Sequence, residues 1–518
     1  LFRTIATDTA HLVKKYNGSL SGEHGDGRVR GEFIPLMVGE KNYDLLKRLK
    51  STFDADNIFN PGKIVDTPPM DTFLRYEENQ ETRQFDTVFN FKNEGGILRA
   101  AEKCNGSGDC RKLPESGGTM CPSYMATRNE KDSTRARANV LRDFLTNSTQ
   151  DNKFNHKEIY EVMDLCLSCK GCVSECPSNV DIPTLKAEFL HQYYKENGIP
   201  LRTKAIANIG RLNKLAMLFP SVSNFGLNNK LTSKILKKIL NIAPNRSMPL
   251  YYKETLLSWF QKNRNALEVK TTLKGKVYFF FDEFTNFNDV EIGIKAFKLL
   301  AKLGYKVEHI DHEDSGRAYL SKGMMDEAQK LAKQNVRIFS TWINNDVPLI
   351  GIEPSAILTF RDEYARLVDE NDVEKAKKLG RNCFIIDEFI ANEIKKGNIT
   401  SEHFTKETKQ IKLHGHCHQK ALSSIESSIL LMSLPENYHV ENITSGCCGM
   451  AGSFGYEKEH YDVSMQVGEL VLFPTVRNTP EDTIIAAPGT SCRHQIKDGT
   501  NRHSLHPVEV LYEALLKK

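Results

Sequence analysis

The chain has 518 residues, 40% of them hydrophobic and 26% charged, a composition typical of a globular protein with room for several hydrophobic cores. Its 70 basic and 66 acidic residues nearly cancel, which argues against nucleic acid and against a membrane surface as partners. The apolar runs are too short to span a bilayer and no secretory signal opens the sequence, so we expect a cytoplasmic protein without a transmembrane segment.

The first segment, residues 1–84, combines two predicted helices with a glycine-rich loop. Apolar residues recur at helical spacing over residues 2–16 and again over residues 41–53. The loop between these helices contains the adjacent pair Glu23 and His24. A double proline and a polar run then predict a linker that ends near residue 85.

Residues 85–194 hold seven of the twelve cysteines, a density that favours metal binding over a disulfide scaffold. Four of them have the C-x2-C-x2-C-x3-C-P spacing of bacterial ferredoxins, in which three thiolates bind one cubane and the fourth binds another cluster. Paired C-x2-C elements also bind zinc, but the 2-2-3 spacing and the trailing proline favour iron and sulfide. The four are Cys166, Cys169, Cys172 and Cys176.

An incomplete copy of this pattern lies upstream. Cys104, Cys110 and Cys121 take its first, third and fourth positions, and Ser107 stands at the second. If the two sets exchange their fourth ligands in the usual way, one set is complete and the other has three thiolates. Three thiolates suit a three-iron cluster, a four-iron cluster completed by Ser107, Asp109 or solvent, or a structural remnant. The complete 4Fe-4S set is Cys121, Cys166, Cys169 and Cys172, and the partial set is Cys104, Cys110 and Cys176.

Residues 195–274 are predicted to form a lysine-rich helical linker with an apolar stripe along one helix. Such a stripe also suits a membrane surface, but packing in a core or against a partner is commoner, and we predict that packing here. The stripe consists of Leu231, Ile235, Leu236, Ile239 and Leu240.

Residues 275–518 alternate strand-like apolar runs with helical patterns, as α/β folds do. The pattern repeats at an offset of about 134 residues: when the sequence is shifted by that offset, Pro354 aligns with Pro488 and Gly316 aligns closely with Gly449. We therefore predict two similar lobes that face each other. The whole chain is then a multidomain protein that combines α+β and α/β folds.

The second of these lobes carries a third cysteine group at the ends of predicted strands. Adjacent cysteines do not readily bridge each other, so the group indicates a shared metal or cluster. Zinc bound with His416 or His418 is one alternative, and buried thiols without a ligand are another. The group is Cys417, Cys447, Cys448 and Cys492. The matching first-lobe positions are Glu283, Asp314, Ser315 and Leu358, so that lobe is predicted to have lost its ligands.

Three motifs together resemble known redox families. The Cys-Cys-Gly run at residues 447–449, with the upstream His-Cys-His, resembles the CCG domains of heterodisulfide reductases, glycolate oxidase iron-sulfur subunits and anaerobic glycerol-3-phosphate dehydrogenase. Residues 21–27 and 60–63 resemble the C-terminal part of FAD-linked oxidases that act on D-2-hydroxy acids. With a ferredoxin segment between them, the chain is similar to the second half of the large bacterial D-2-hydroxyglutarate dehydrogenases. We therefore expect residues 1–84 to be the end of a longer oxidase domain.

The resemblance implies FAD-dependent oxidation of a D-2-hydroxy acid, most closely D-2-hydroxyglutarate to 2-oxoglutarate. His24 is the implied base for the hydroxyl proton, since the unperturbed pKa of histidine lies near working pH. Glu23 matches a residue that helps to hold a divalent metal beside the substrate oxygen. Asn60, Gly25 and Gly27 match the part of the family that contacts the flavin.

Electrons are expected to leave the flavin through the 4Fe-4S clusters for a quinone or a soluble carrier. NAD is not expected, because no glycine-rich nucleotide fingerprint follows a predicted strand. A D-lactate or glycolate dehydrogenase of the same architecture shares these motifs. A non-catalytic electron-transfer subunit and a disulfide reductase are the other hypotheses. We expect the protein in the cytoplasm, either free or bound at the inner membrane. A homo-oligomer is also compatible with the sequence.

Overall fold

The computed structural model describes residues 1–76, 80–269 and 272–516, and it divides into two compact units, Leu1–Thr82 and Arg83–Lys518. The mixed helix and sheet architecture expected from the sequence is confirmed. The finer division of residues 85–518 into a ferredoxin segment, a linker and a two-lobed domain stays a prediction.

Unit 1 is helical, and both helices expected from its apolar periodicity are present. Arg3 donates to Glu32 at 2.8 Å and pairs with Asp71, which ties the first helix to the rest of the unit. Its small core is formed around Ala10, Phe33 and Met70. The helices are α1 (Phe2–Lys15), α2 (Ile34–Val38) and α3 (Glu40–Phe53).

The first part of unit 2 is also helical. Side chains cap several of these helices: the Ser133 hydroxyl accepts from the Ala136 amide, and the Asp181 carboxylate accepts from the Thr184 amide. The helices are α4 (Ile97–Glu102), α5 (Pro122–Thr127), α6 (Thr134–Asn147), α7 (Lys157–Asp164), α8 (Gly171–Glu175), α9 (Ile182–Asn197), α10 (Leu201–Ala207), α11 (Ile209–Ala216), α12 (Pro220–Asn228), α13 (Lys230–Ile239) and α14 (Leu256–Asn263).

The second part of unit 2 contains two parallel sheets, with strand orders β2-β1-β3-β4 and β6-β5-β7. Parallel neighbours need crossover connections, and helices supply them. The strands are β1 (Gly275–Phe279), β2 (Tyr305–Glu308), β3 (Leu349–Gly351), β4 (Cys383–Ile385), β5 (Lys409–Leu413), β6 (Tyr438–Asn442) and β7 (Ile484–Ala486). The helices are α15 (Val290–Lys302), α16 (Arg317–Ser321), α17 (Met325–Phe339), α18 (Pro354–Ile357), α19 (Tyr364–Leu367), α20 (Val373–Arg381), α21 (Ile386–Lys395), α22 (Cys417–Leu422), α23 (Glu426–Met432), α24 (Tyr461–Glu469), α25 (Leu472–Arg477), α26 (Thr490–Thr500) and α27 (Pro507–Glu513).

The two sheets share one topology over three strands. β1 begins at Gly275 and β5 at Lys409, an offset of about 134 residues, and each is the strand between two parallel neighbours. The four strand-like runs that the sequence indicates became β1, β3, β5 and β7. Sequence reasoning missed the strands β2, β4 and β6. β2 and β6 contain charged residues, whereas β4 begins the apolar run of residues 383–386.

The apolar stripe of α13 is exposed. Leu231, Ile235 and Ile239 are 60–74% accessible to solvent, so the prediction of core packing is wrong for them within this chain. The helix is held through its ends, where the Asn229 side chain caps it and Lys237 donates to the Pro244 carbonyl at 3.0 Å.

A buried cation fixes the cysteine loop of residues 166–172 to the first sheet region. The Lys170 ammonium is 1% exposed and lies 3.1 Å from Asp181 and 2.7 Å from Asp362. Glu363 is next to it and also accepts from Arg317 at 2.6 Å. Burial lowers the pKa of Lys170, but these carboxylates outweigh that effect and hold it above its usual value.

Replacing Lys170 by methionine should destabilise the chain strongly. The substitution leaves the buried Glu363 and the half-buried Asp181 and Asp362 without their shared cation, and loss of one partner of a buried ion pair costs about 3–5 kcal/mol. We expect the midpoint of thermal unfolding to fall by several degrees. Lys92→Met is the matched control, because Lys92 pairs with Glu370 on the exposed surface. Equal midpoints for the two variants would contradict this account.

Candidate metal centres and substrate loop

The third cysteine group lies at one edge of the second sheet. Cys417 begins α22 after β5, Cys447 and Cys448 follow β6, and Cys492 is in the first turn of α26 after β7. The carboxyl ends of parallel strands meet at one edge, which explains why residues 75 positions apart converge. Gly449 leaves this loop with a φ of +94°, and a Cβ there would lie 2.3 Å from the Ser464 carbonyl oxygen.

A histidine that sequence reasoning missed lies with two of these cysteines. One ligand atom from each of His414, Cys448 and Cys492 lies within 4.8 Å of the others. His414 Nδ1 is 2.7 Å from the Ser445 hydroxyl, which leaves Nε2 for another partner. That Nε2 atom is buried and has no hydrogen-bond partner among the described residues. A buried ring nitrogen that has no hydrogen-bond partner and lies beside two thiols is suited to bind a metal.

The crowded thiols of this group differ in acidity. A hydrogen bond from Cys447 lowers the pKa of Cys417 to about 7, although burial opposes the shift. Hydrogen bonds from Cys447 and Cys492 likewise hold the pKa of Cys448 below its usual value. Thiolates are the form that binds metals, so the surroundings favour Cys417 and Cys448 as ligands, whereas hydrogen bonds among the same thiols raise the pKa of Cys447 and of Cys492.

His416 and His418, the histidines proposed for a zinc alternative, are buried beside the third cysteine group. His416 Nδ1 accepts from the His418 amide at 3.2 Å, and His416 Nε2 lies 3.7 Å from Glu353. His418 Nε2 is 3.0 Å from the Ser168 carbonyl oxygen. In the first sheet, the matching Glu283 accepts hydrogen bonds from Ser315 at 2.6 and 3.0 Å.

Four of the seven ferredoxin-type cysteines, those of the complete set, lie near one another. Six of the seven are buried, and Cys176 is partly buried. Burial raises the pKa of Cys172, and the neighbouring thiols of Cys166 and Cys121 raise it further. Cys121 also lies beside Cys110, whose pKa burial raises. Ser107 and Asp109, proposed to complete the partial set, are both outside the buried core.

Cationic side chains surround these cysteines, and sequence reasoning missed them. Arg137 is fully buried on α6 and donates to Cys121 Sγ at 3.2 Å. Lys186 donates to the Cys166 carbonyl at 2.8 Å. A positive charge on the otherwise apolar face of α6 was the available signal for Arg137. These groups would offset the negative charge of thiolate-bound clusters.

The two cysteine groups adjoin each other. Cys169 packs in one apolar cluster with Cys417 and Cys447. The contact of His418 with the Ser168 carbonyl oxygen joins the same two loops. Redox groups held at these positions would be neighbours.

A cavity of about 290 Å³ also reaches the third cysteine group. Its apolar lining includes side chains from α10, α11 and α12 and from the connection after α13, while Cys417, Cys447 and Cys448 line it as well. The apolar lining residues include Ile206, Ile209, Leu212, Leu227 and Ile242. An apolar cavity beside candidate metal ligands suits a lipophilic molecule.

The predicted substrate loop lies in unit 1 and is open to solvent. Glu23, His24, Gly25 and Asn60 are exposed, and Gly27 lies in the same loop. Gly25 and Gly27 have φ values of +74° and +56°, which glycine adopts without strain. The described residues of unit 1 therefore do not enclose a flavin by themselves.

Two protein families match separate parts of the chain. Residues 1–64 match the C-terminal domain of FAD linked oxidases, and residues 103–181 match the 4Fe-4S dicluster domain. These matches indicate FAD and iron-sulfur clusters as cofactors, which confirms the expectation from the motifs. The class that they define is a flavin-linked, iron-sulfur oxidoreductase.

Particular relatives narrow that class and confirm the expected resemblance. D-2-hydroxyglutarate dehydrogenases of Escherichia coli (strain K12) and Pseudomonas putida are 27% and 25% identical over 99% of this chain. The chain spans about half, 53%, of the length of each. One subunit of the anaerobic glycerol-3-phosphate dehydrogenase of Escherichia coli is 25% identical over 61% of the chain and 77% of its own length. No solved structure matches.

Cys169→Ser should abolish the spectrum of the complete 4Fe-4S cluster in anaerobically purified protein. Serine replaces a soft thiolate by a poor iron ligand. Electron paramagnetic resonance of the reduced protein and iron analysis measure the loss. Cys383→Ser is the matched control, since Cys383 is also buried and bonds to the Leu379 carbonyl oxygen. An unchanged spectrum in Cys169→Ser, together with its loss in Cys104→Ser, would reverse our assignment.

His414→Ala should lower metal content at the third cysteine group and leave the 4Fe-4S spectrum intact. The expected loss of metal affinity is about 10–100-fold, whether His414 binds the metal or orients the thiolates around it. Metal analysis after dialysis against a chelator measures it. His439→Ala, on the exposed side of β6, is the control. Equal metal retention by both variants would remove His414 from the site.

Proposed function

We propose that this chain is the electron-carrying half of a flavin-linked dehydrogenase that oxidises a D-2-hydroxy acid, with D-2-hydroxyglutarate as the favoured substrate. The observation that carries the proposal is that two adjoining cysteine groups occur on a chain that also matches an FAD-linked oxidase domain. When bound, FAD accepts a hydride and iron-sulfur clusters transfer single electrons.

The residues of unit 1 supply the proton chemistry in this proposal. His24 removes the proton of the substrate hydroxyl, and Glu23 helps to hold a divalent metal that polarises the same oxygen. Gly25, Gly27 and Asn60 form one wall of the flavin site. Other residues of an FAD-binding domain would have to close it, because this loop is open to solvent.

The cysteines of unit 2 hold the clusters. Cys121, Cys166, Cys169 and Cys172 bind the complete cubane, and Cys104, Cys110 and Cys176 bind the partial one. We further propose that residues 275–518 form a two-lobed CCG domain. In that domain Cys417, Cys447, Cys448 and Cys492, with His414, bind a third centre. The cationic Arg137 and Lys186 support the first assignment.

The proposed acceptor is a quinone. Its support is the cavity of about 290 Å³, which is apolar along the helices and reaches Cys417, Cys447 and Cys448. A soluble electron carrier would not require an apolar cavity of this kind. The proposed location is the cytoplasm, at the inner membrane where such an acceptor resides.

A non-catalytic electron-transfer subunit is the second candidate. It is favoured by the alignment with the anaerobic glycerol-3-phosphate dehydrogenase relative, whose name makes it one subunit of an enzyme. D-lactate and glycolate are the competing substrates within the first proposal. An FAD-binding domain encoded in the same gene would exclude the second candidate.

His24→Ala in the full-length gene product should lower turnover of D-2-hydroxyglutarate by about a hundredfold or more, as expected for loss of a general base. Dye-linked assays with D-2-hydroxyglutarate, D-lactate and glycolate measure the rate and rank the substrates. Iron content should stay at the wild-type level.

The matched control for that experiment is His11→Ala. His11 is an exposed histidine on α1 of the same unit, so its loss should leave turnover unchanged. Wild-type turnover in His24→Ala would remove this residue from the mechanism. Absence of turnover with all three substrates in the unsubstituted protein would favour the non-catalytic subunit.

A further inference from the structure

Residues 197–253 have a one-sided charge. This segment contains ten lysines and arginines and no aspartate or glutamate, whereas the whole chain has 70 basic and 66 acidic residues. A bias this strong over 57 residues is unlike the balance of the whole protein. It produces a local positive field that would attract an anionic surface.

The same segment exposes large apolar side chains on α11, α12 and the turn between them. Leu215, Leu218, Phe219, Val222 and Phe225 are 64–69% accessible to solvent. The exposed stripe of α13, Leu231, Ile235 and Ile239, extends this set. Contiguous exposed apolar patches on a folded protein mark contact with a partner or a membrane.

The exposed apolar side chains lie on helices that are hydrogen-bonded to the rest of unit 2. Asn213 on α11 donates to the Glu283 carbonyl at 3.0 Å, and Asn224 on α12 donates to the Tyr251 carbonyl at 2.8 Å. Arg202 donates to the Asn241 carbonyl at 3.0 Å and pairs with Glu459. The helices are thus pinned to unit 2 while their apolar side chains remain in solvent.

Charge and apolarity together identify the partner. A helix that lies in a membrane interface presents large apolar side chains with lysines beside them, as the exposed Ile235 and Lys234 do on α13. An apolar contact between two protein copies requires no such net charge and is opposed by it. No helix among the described residues is long and apolar enough to cross a bilayer, so such a contact would be interfacial.

We propose that α11, α12 and α13 form a docking surface for an anionic lipid bilayer. The exposed apolar side chains enter the interface between headgroups and acyl chains, and the lysines contact the anionic headgroups. Leu212 and Leu227 of the same helices line the apolar cavity, so docking brings that cavity to the membrane. The inference extends the proposed location and is independent of the proposed dehydrogenase activity.

Vesicle sedimentation of the full-length gene product tests the surface. The probes are vesicles of phosphatidylcholine alone and vesicles containing about a third phosphatidylglycerol. We expect sedimentation with the anionic vesicles only, decreasing with salt because exposed charges are screened. Phe219→Ser with Phe225→Ser, and separately Lys230→Glu with Lys234→Glu, should each weaken binding by about tenfold or more.

Matched controls separate this surface from general stickiness. Trp342→Ser removes an exposed aromatic elsewhere in unit 2, and Lys302→Glu with Lys330→Glu reverses two lysines on α15 and α17 that lie outside the buried core. Both controls should bind as the wild type does. Circular dichroism and iron content establish that every variant is folded.

Three results would overturn the proposal. The first is no sedimentation of the wild type with anionic vesicles. The second is wild-type binding by the variants of Phe219, Phe225, Lys230 and Lys234. The third is a lipid-free oligomer, seen by analytical ultracentrifugation, that the Phe219 and Phe225 substitutions dissociate, since the surface would then contact a second copy. Dehydrogenase turnover enters none of these measurements, so this proposal and the proposed function fail independently.

Discussion

The buried ammonium of Lys170 constrains the arrangement of unit 2. It belongs to the loop that carries Cys169 and Cys172, and it must keep carboxylate neighbours because an unpaired buried charge is costly. Asp181 holds it from the start of α9, and Asp362 and Glu363 hold it from the first sheet region. The loop is therefore fixed between the helical part and the sheets.

A second buried polar contact works in the same direction. His460 lies 2.9 Å from Asp164 and 3.0 Å from Glu457, with its ring stacked on Phe454. Burial lowers the pKa of His460, but the two carboxylates outweigh this and raise it. The contact joins α7, which precedes Cys166, to the segment after Cys448. Two charged contacts thus hold the ferredoxin-type region: the Lys170 contact joins it to the first sheet region, and the His460 contact joins it to the segment after Cys448.

Much of this organisation could be predicted from local patterns. The spacing of the cysteines indicated candidate ligand sets, and apolar runs located four of the seven strands in the described residues. Both signals could be recognised because each lies within a few neighbouring residues. The roles of His414 and Lys170 could not be predicted. Each depends on neighbours that only the fold supplies, and a single histidine or cation has no spacing to read. The prediction of core packing for the apolar stripe of α13 failed for a related reason. Helical periodicity shows that one face of the helix is apolar, and it does not show what covers that face.

Glu353 extends from the first sheet to the second sheet, beside the third cysteine group. It follows β3, accepts from the Thr490 amide at 2.9 Å, and approaches His416 at 3.7 Å beside the third cysteine group. Hydrogen bonding to Cys448 and burial are the main causes that raise the pKa of Cys492, and the charge of Glu353 adds to them. A fixed negative charge near a redox centre disfavours an added electron and lowers its reduction potential. At the proposed third centre, the half of the internal repeat that carries Glu353 would therefore lower the reduction potential of a group that the other half holds.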